Sequence, residues 1–151
     1  MSPRKPFVPP RFVVSTAWRI HRAIARRGPG RGLWEPGARN AWGALTLTTT
    51  GRRSGDPRIA IVGYLDDGDA LHTLAMNGWR EGHPAWWLNL QSDPRARVAM
   101  PDGSAHDVVA HRATDAERDR LWREWQRIDP QIDDLAARRT TPTDIVVLVR
   151  A

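Results

Sequence analysis

Three arginines, a serine and two glycines are gathered between Gly51 and Arg58, in the run G-R-R-S-G-D-P-R. A guanidinium is a planar, permanently charged fork that matches two oxygens of a phosphate or carboxylate. Glycine lets backbone N–H groups approach the same anion. The turn therefore suits a ligand carrying a phosphate or several carboxylates, held by Arg52, Arg53, Ser54, Gly55 and Arg58. A hairpin turn that is basic only to stay soluble has the same composition, so the turn alone leaves both readings open.

Other chemistries are excluded by the residue inventory. The 151-residue chain has no cysteine, which rules out disulfides, cysteine-based zinc sites and a cysteine nucleophile. Its five histidines, His21, His72, His83, His106 and His111, form no metal-binding spacing. The net charge is +6, but every basic residue except Lys5 is arginine, a bias that base composition explains as readily as function. A basic barrel with its eight tryptophans as stacking platforms for nucleic acid is a rival reading. Against it, the arginines cluster on one turn and do not track a groove, so a small-molecule partner and no nucleic acid are expected.

The elements around the turn follow from periodicity. Leu45, Leu47 and Thr49 alternate with Thr46, Thr48 and Thr50, a half-buried strand that delivers the chain to Gly51. Ile59–Leu65 and Ala70–Ala75 read as two further strands, joined by the D-D-G-D hairpin at residues 66–69. Pro84 stands where a short helix begins, and Asp93-Pro94 stops it. Arg97–Met100 and His106–His111 follow as strands. T-D-A-E at 114–117 is a capping-box pattern for a helix carrying Leu121, Trp125 and Ile128 on one face. Pro130 interrupts that helix, and Ile132, Leu135 and Ala136 suggest another helical turn. The run I-V-V-L-V in the last strand, Asp144–Val149, reads as buried on both faces.

Short hairpin-linked strands without βαβ alternation favour an α+β chain, a mainly antiparallel barrel with helices packed outside. G-R-R-S-G matches neither a dinucleotide fingerprint nor a phosphate-binding P-loop, and a strand follows it where either would need a helix. Residues 1–12 read as a flexible Pro-rich basic arm and 13–151 as one domain. The helical pattern from Val13 to Arg27 has an arginine-rich face, which suits either packing on the domain or peripheral contact with an anionic membrane. No run approaches a membrane span and no secretory signal is evident, so the cytoplasm is the default compartment, with membrane association through that helix as the alternative to its packing on the domain.

Taken together, T-T-T-G-R-R-S-G-D-P-R (48–58), D-D-G-D (66–69), A-M-N-G-W (75–79), H-P-A-W-W-L-N-L (83–90) and D-P-R-A-R-V (93–98) resemble the deazaflavin-dependent nitroreductase family. The resemblance runs from about Leu45 to the C-terminus and is specific in the spacing of its motifs. It implies a split β-barrel oxidoreductase using coenzyme F-420, a planar tricycle with a phosphorylated, glutamate-ended tail. FMN in the wider split-barrel group is the alternative coenzyme. A non-catalytic F-420-binding protein is a further alternative. Carried onto this chain, the resemblance gives Arg52, Arg53, Ser54, Gly55 and Arg58 to the tail. It gives Ala75, Met76 and Asn77 to the ring. Ala85, Trp86, Trp87 and Asn89 come to the same cleft from the short helix, although Trp87 suits core packing equally well.

The chemistry so implied is hydride transfer between the deazaflavin and an electron-poor acceptor, with no protein nucleophile or metal. Where the family's nitroimidazole-reducing member has three tyrosines near its substrate, this chain has Asp129, Ile132 and Leu135. Ile132 and Leu135 are the expected substrate residues, on a side suited to a quinone, a lipid-like enone or another hydrophobic acceptor. The missing phenols argue against nitro reduction. His83 is a further candidate proton donor, though a His before Pro at a helix start suits a plain loop position. A homodimer is compatible with the apolar strands and the tryptophans.

Overall fold

The computed structural model describes residues 32–151, so the arm and the basic helix expected before Gly28 lie outside the described residues. Six strands, all paired antiparallel, close into a barrel: β1 (Gly43–Thr50), β2 (Pro57–Asp66), β3 (Leu71–Leu74), β4 (Arg95–Ala99), β5 (Ala105–Arg112) and β6 (Ile145–Arg150). Their order around the barrel is β1, β2, β3, β6, β5, β4, with β4 returning to β1. Between β2 and β3 only Leu65↔His72 and Asp66↔Leu71 pair, so the barrel is split along the rest of β2. Helices α1 (Ala85–Ser92), α2 (Asp115–Ile128) and α3 (Ile132–Ala137) complete the fold.

Alternation along the strands sorts side chains between two cores. Leu45 and Leu47 of β1, Val62 and Tyr64 of β2, Val98, Val108 and Leu148 fill the barrel, with Trp87 and Leu90 of α1 plugging it. Ile145 and Val147 of β6 point the other way, against Leu121 and Trp125 of α2 and Ile132 of α3. Burial on both faces therefore holds from Ile145 to Leu148. It ends at Val149, which is exposed beside its exposed β5 partner Val109. Gly43 is required by packing: a Cβ there would come within 2.6 Å of the Tyr64 ring.

The helix after Thr114 forms, but not through a capping box. Thr114 makes no side-chain cap bond, and Asp115 is left-handed at φ 51°. Glu117, the expected reciprocal partner, meets His111 Nε2 at 2.9 Å on β5 instead. An oppositely polarised ring within reach thus outcompetes the local backbone donor for the carboxylate.

Candidate functional site: a basic turn and an indole-lined cavity

The β1–β2 turn is held by its own hydrogen bonds. Gly51 N donates to Asp56 O and Gly55 N to Gly51 O, each at 2.8 Å, with Gly55 left-handed at φ 74°. Ser54 Oγ accepts from Asp56 N at 3.1 Å and Arg58 Nη2 at 3.4 Å, so the hydroxyl shapes the turn and orients Arg58. Asn89 of α1 docks the turn: its Oδ1 accepts from both Arg52 N and Arg52 Nη1 at 3.2 Å. Its Nδ2 donates to the buried Thr49 hydroxyl at 3.1 Å. Arg53 makes no hydrogen bond or ion pair among the described residues and is exposed.

Two cavities open beside this turn. The smaller, about 590 Å³, is basic: Arg52, Arg53, Ser54 and Arg58 line it, closed by Ala85 and Asn89 from α1. The larger, about 610 Å³, is walled by the indoles of Trp42, Trp79, Trp86 and Trp125. Ile61, Leu74 and Met76 add apolar wall, and Ile128 and Ile132 come from the helical side. Arg80 and Asp129 are its charged lining residues. Ala60 of β2 and Trp86 of α1 line both cavities, so an anion-binding end and an apolar aromatic end are contiguous. Both volumes fall in the usual small-molecule range of roughly 300–1,000 Å³.

The aromatic walls are held by polar contacts behind them. His72 is fully buried; its Nδ1 accepts from Trp125 Nε1 at 3.0 Å, and its Nε2 meets Glu124 Oε2 at 3.2 Å. The indole N–H can only donate, so Nδ1 is the acceptor and the Nε2 proton faces Glu124. Burial holds the His72 pKa below its ordinary value, with Glu124 opposing. On the opposite wall Trp34 Nε1 donates to Trp42 O at 2.9 Å, and the two rings sit 5.2 Å apart.

The loop of residues 75–82 forms the floor. Asn77, Gly78 and Trp79 are successively left-handed, at φ 51°, 62° and 62°. For a tryptophan this is sparsely populated backbone, costing about 1–3 kcal/mol. Neighbours hold it in place. Arg139 Nη1 donates to Met76 O at 2.6 Å and Ala75 O at 3.3 Å, and its Nη2 to Gly82 O at 3.0 Å. Glu81 accepts from the backbone N–H and hydroxyl groups of Thr140 and Thr141 at 2.7–3.1 Å.

The expected site residues divide accordingly. Arg52, Arg53, Ser54, Arg58, Ala85, Trp86 and Asn89 converge on the basic cavity, and Gly55 serves the turn. Met76, Asn77 and Ile132 line the aromatic one. Ala75 is buried behind it, its N–H donating to Asp144 O and its carbonyl accepting from Arg139. Trp87 is 3% exposed in the barrel core, donating from Nε1 to Asp144 Oδ2 at 3.0 Å, and lines neither cavity. Leu135 is buried away from both. His83 lines neither. Tyr64 turns into the barrel, where its hydroxyl donates to Glu35 Oε2 at 3.2 Å and burial with Glu35 raises its pKa. Sequence reasoning missed Ala60, Trp79, Arg80, Trp125 and Arg139. The excess of tryptophan was a signal for the indole walls; nothing marks Arg139 among so many arginines.

Comparison with known proteins gives this geometry a family. Residues 18–150 match the model of the F420H(2)-dependent quinone reductases. The chain belongs to that family. Its coenzyme is accordingly F-420 and its activity that of an F-420-dependent oxidoreductase. An F420H(2)-dependent quinone reductase of Mycobacterium tuberculosis strain H37Rv is 31% identical over 138 residues, 87% of this chain and 89% of that protein. Its counterpart from strain CDC 1551 matches equally. Among solved structures, an F420-H2-dependent reductase superposes with a TM-score of 0.62 at 21% identity, over 70% of this chain and 92% of its own. A domain-swapped dimer superposes at 0.66 and 20% identity, over 91% and 96%. These structural likenesses show the split-barrel fold that the resemblance implied, and the antiparallel barrel that the strand pattern favoured. No helix among the described residues is long and apolar enough to cross a membrane.

Proposed function

We propose that this F-420-dependent reductase holds the coenzyme across both cavities, tail in the basic one and ring in the indole-lined one, and reduces a quinone. The observation that carries this reading is the contiguity of an arginine-lined cavity with an indole-lined one at Ala60 and Trp86. The donor set fits the coenzyme. Arg53 and Arg58 are exposed at the mouth and suit the phosphate and glutamates of a long anionic tail, while Arg52, tied to Asn89, presents a fixed charge. The four indoles suit a planar tricycle.

When bound, the reduced deazaflavin supplies a hydride from C5. The chain's residues then bind, orient and exclude water. Trp86 closes the cavity from α1 and Trp125 from α2, each side chain restricted by its own packing. Ile128 offers an apolar face to the acceptor, backed by the buried Ile132, which suits a quinone, as the names of the relatives have it. Among the described residues no phenol lines the cavity, and this reading takes the proton that completes reduction from solvent. A homodimer fits the exposed Val109–Val149 pair on the barrel exterior.

The test is to mix reduced F-420 with a short-chain naphthoquinone and follow the coenzyme's absorbance. Enzyme-dependent reoxidation is expected. A protein that binds F-420 but leaves a panel of quinones unreduced would point to a carrier.

A further inference from the structure

Arg139 is a buried guanidinium, 7% exposed, whose contacts are nearly all backbone carbonyls of one loop. It spans Ala75 O, Met76 O and Gly82 O, and also reaches Thr143 Oγ1 at 3.4 Å. Those carbonyls bracket the left-handed run Asn77–Gly78–Trp79, all three of which line the indole-walled cavity. A second tie lies on the solvent side, where Glu81 bridges to Thr140 and Thr141, and Gly82 N donates to Thr141 Oγ1 at 2.8 Å. Strained backbone persists only where its surroundings over-determine it. The loop supplies no regular secondary structure of its own beyond the turn at Asn77–Trp79. Within the loop, Asn77 Nδ2 donates to Glu81 O at 3.0 Å and Trp79 N to Met76 O at 2.8 Å; the ties that anchor it to the rest of the fold come from residues 139–143.

We propose that Arg139 is a positioning residue for the coenzyme ring. It sets the backbone that aims Asn77 and Trp79 into the cavity, without itself lining that cavity. The inference rests on the placement of the ring proposed above. A lysine cannot replace it: one ammonium lacks the fork needed to reach Met76 O and Gly82 O together.

The experiment measures binding of three ligands, whole F-420, a tail-less deazaflavin and inorganic phosphate, to the wild type, Arg139→Gln, Arg139→Lys and Glu81→Gln. Hydride transfer at saturating coenzyme is followed in parallel, with thermal melting as the fold control. For Arg139→Gln we expect tail-less deazaflavin binding to weaken by about tenfold or more and transfer at saturation to slow by a similar factor, since small misplacements of a reacting group have large rate effects. Phosphate binding should be unchanged. Arg139→Lys should lie close to Arg139→Gln. Glu81→Gln, at an exposed position, should give the same pattern in smaller degree and serves if Arg139→Gln fails to fold. Equal losses for all three ligands, or no loss for the tail-less deazaflavin in a folded variant, would overturn the proposal. Wild-type protein that binds phosphate but no deazaflavin would instead refute the placement of the ring on which it rests.

Discussion

Asn89 grips Arg52 at two points with one oxygen, accepting from both the backbone N–H and the guanidinium at 3.2 Å. The basic turn and the short helix, thirty-seven positions apart, are thereby one structural unit. This explains why the two motifs carry a signal together that neither carries alone. The helix fixes where the first arginine of the turn stands, and the turn closes over the end of the cavity that the helix lines.

Asn89→Ala removes that grip and leaves the buried Thr49 hydroxyl without its donor. We expect a stability loss of about 1–3 kcal/mol, the usual cost of stranding a buried polar group. F-420 affinity should fall with it. Chemical denaturation and coenzyme titration on the same preparation check both, and an unchanged affinity would separate the turn's position from the amide.

At the far end of the cavity, Ile132 and Ile128 should respond differently. Ile132 is 1% exposed and belongs to the outer core, so Ile132→Ala should cost about 2–5 kcal/mol. Ile128 is half-buried, and Ile128→Ala should leave the fold and the coenzyme affinity in place while raising the KM for a quinone acceptor. Steady-state kinetics with varied quinone decide the matter. A change in coenzyme affinity without one in quinone KM would mean the acceptor enters elsewhere.

Glu81 predicts an acid limb in stability. Hydrogen bonds from the Thr140 backbone and hydroxyl, then from Thr141, pull its carboxyl from 4.5 down to about 2. A folded-state value below the unfolded one means the contribution is fully present above the unfolded value and is lost as pH falls toward the folded one. Melting temperature should therefore drop between about pH 4.5 and 2. Glu81→Gln should flatten part of that limb. An identical limb in the variant would show that other carboxylates account for it.

His72 supplies a second, distinct pH response. Burial depresses its pKa from 6.5, while Glu124 and Asp67 oppose that effect and Arg120 adds to it. The neutral ring is the one that can accept from Trp125, so its stabilisation is present above the ordinary value and lost as pH falls through the depressed one. Acidification through that depressed pKa should change the tryptophan emission, and Trp125→Phe should abolish that component. Persistence of the same transition in Trp125→Phe would assign it to another indole.

The barrel was legible because strand patterns and hairpin turns are local signals: β1 alternates with period two, and β6 is a continuous apolar run. The basic turn was legible because its charges are contiguous. Other features were set by contacts distant in sequence. Trp87 and Trp86 are neighbours on α1, yet helical geometry turns one into the barrel and the other to the cavities, which the pair W-W does not distinguish. Arg139 meets its carbonyl partners across more than fifty residues, with no local pattern to announce them. The capping box failed through a nearer contact: Glu117 bonds His111, six residues back on β5.

The most direct test of the two-cavity site is a fluorescence titration of F-420, a tail-less deazaflavin and FMN into wild type and an Arg53→Ala, Arg58→Ala double variant. Charge-assisted hydrogen bonds contribute roughly 1.5–3 kcal/mol each, so the double variant should lose about 100-fold or more in F-420 affinity. Its affinity for the tail-less ligand should stay as in the wild type. Equal losses for both deazaflavins, or wild-type protein that binds FMN and not F-420, would contradict the account.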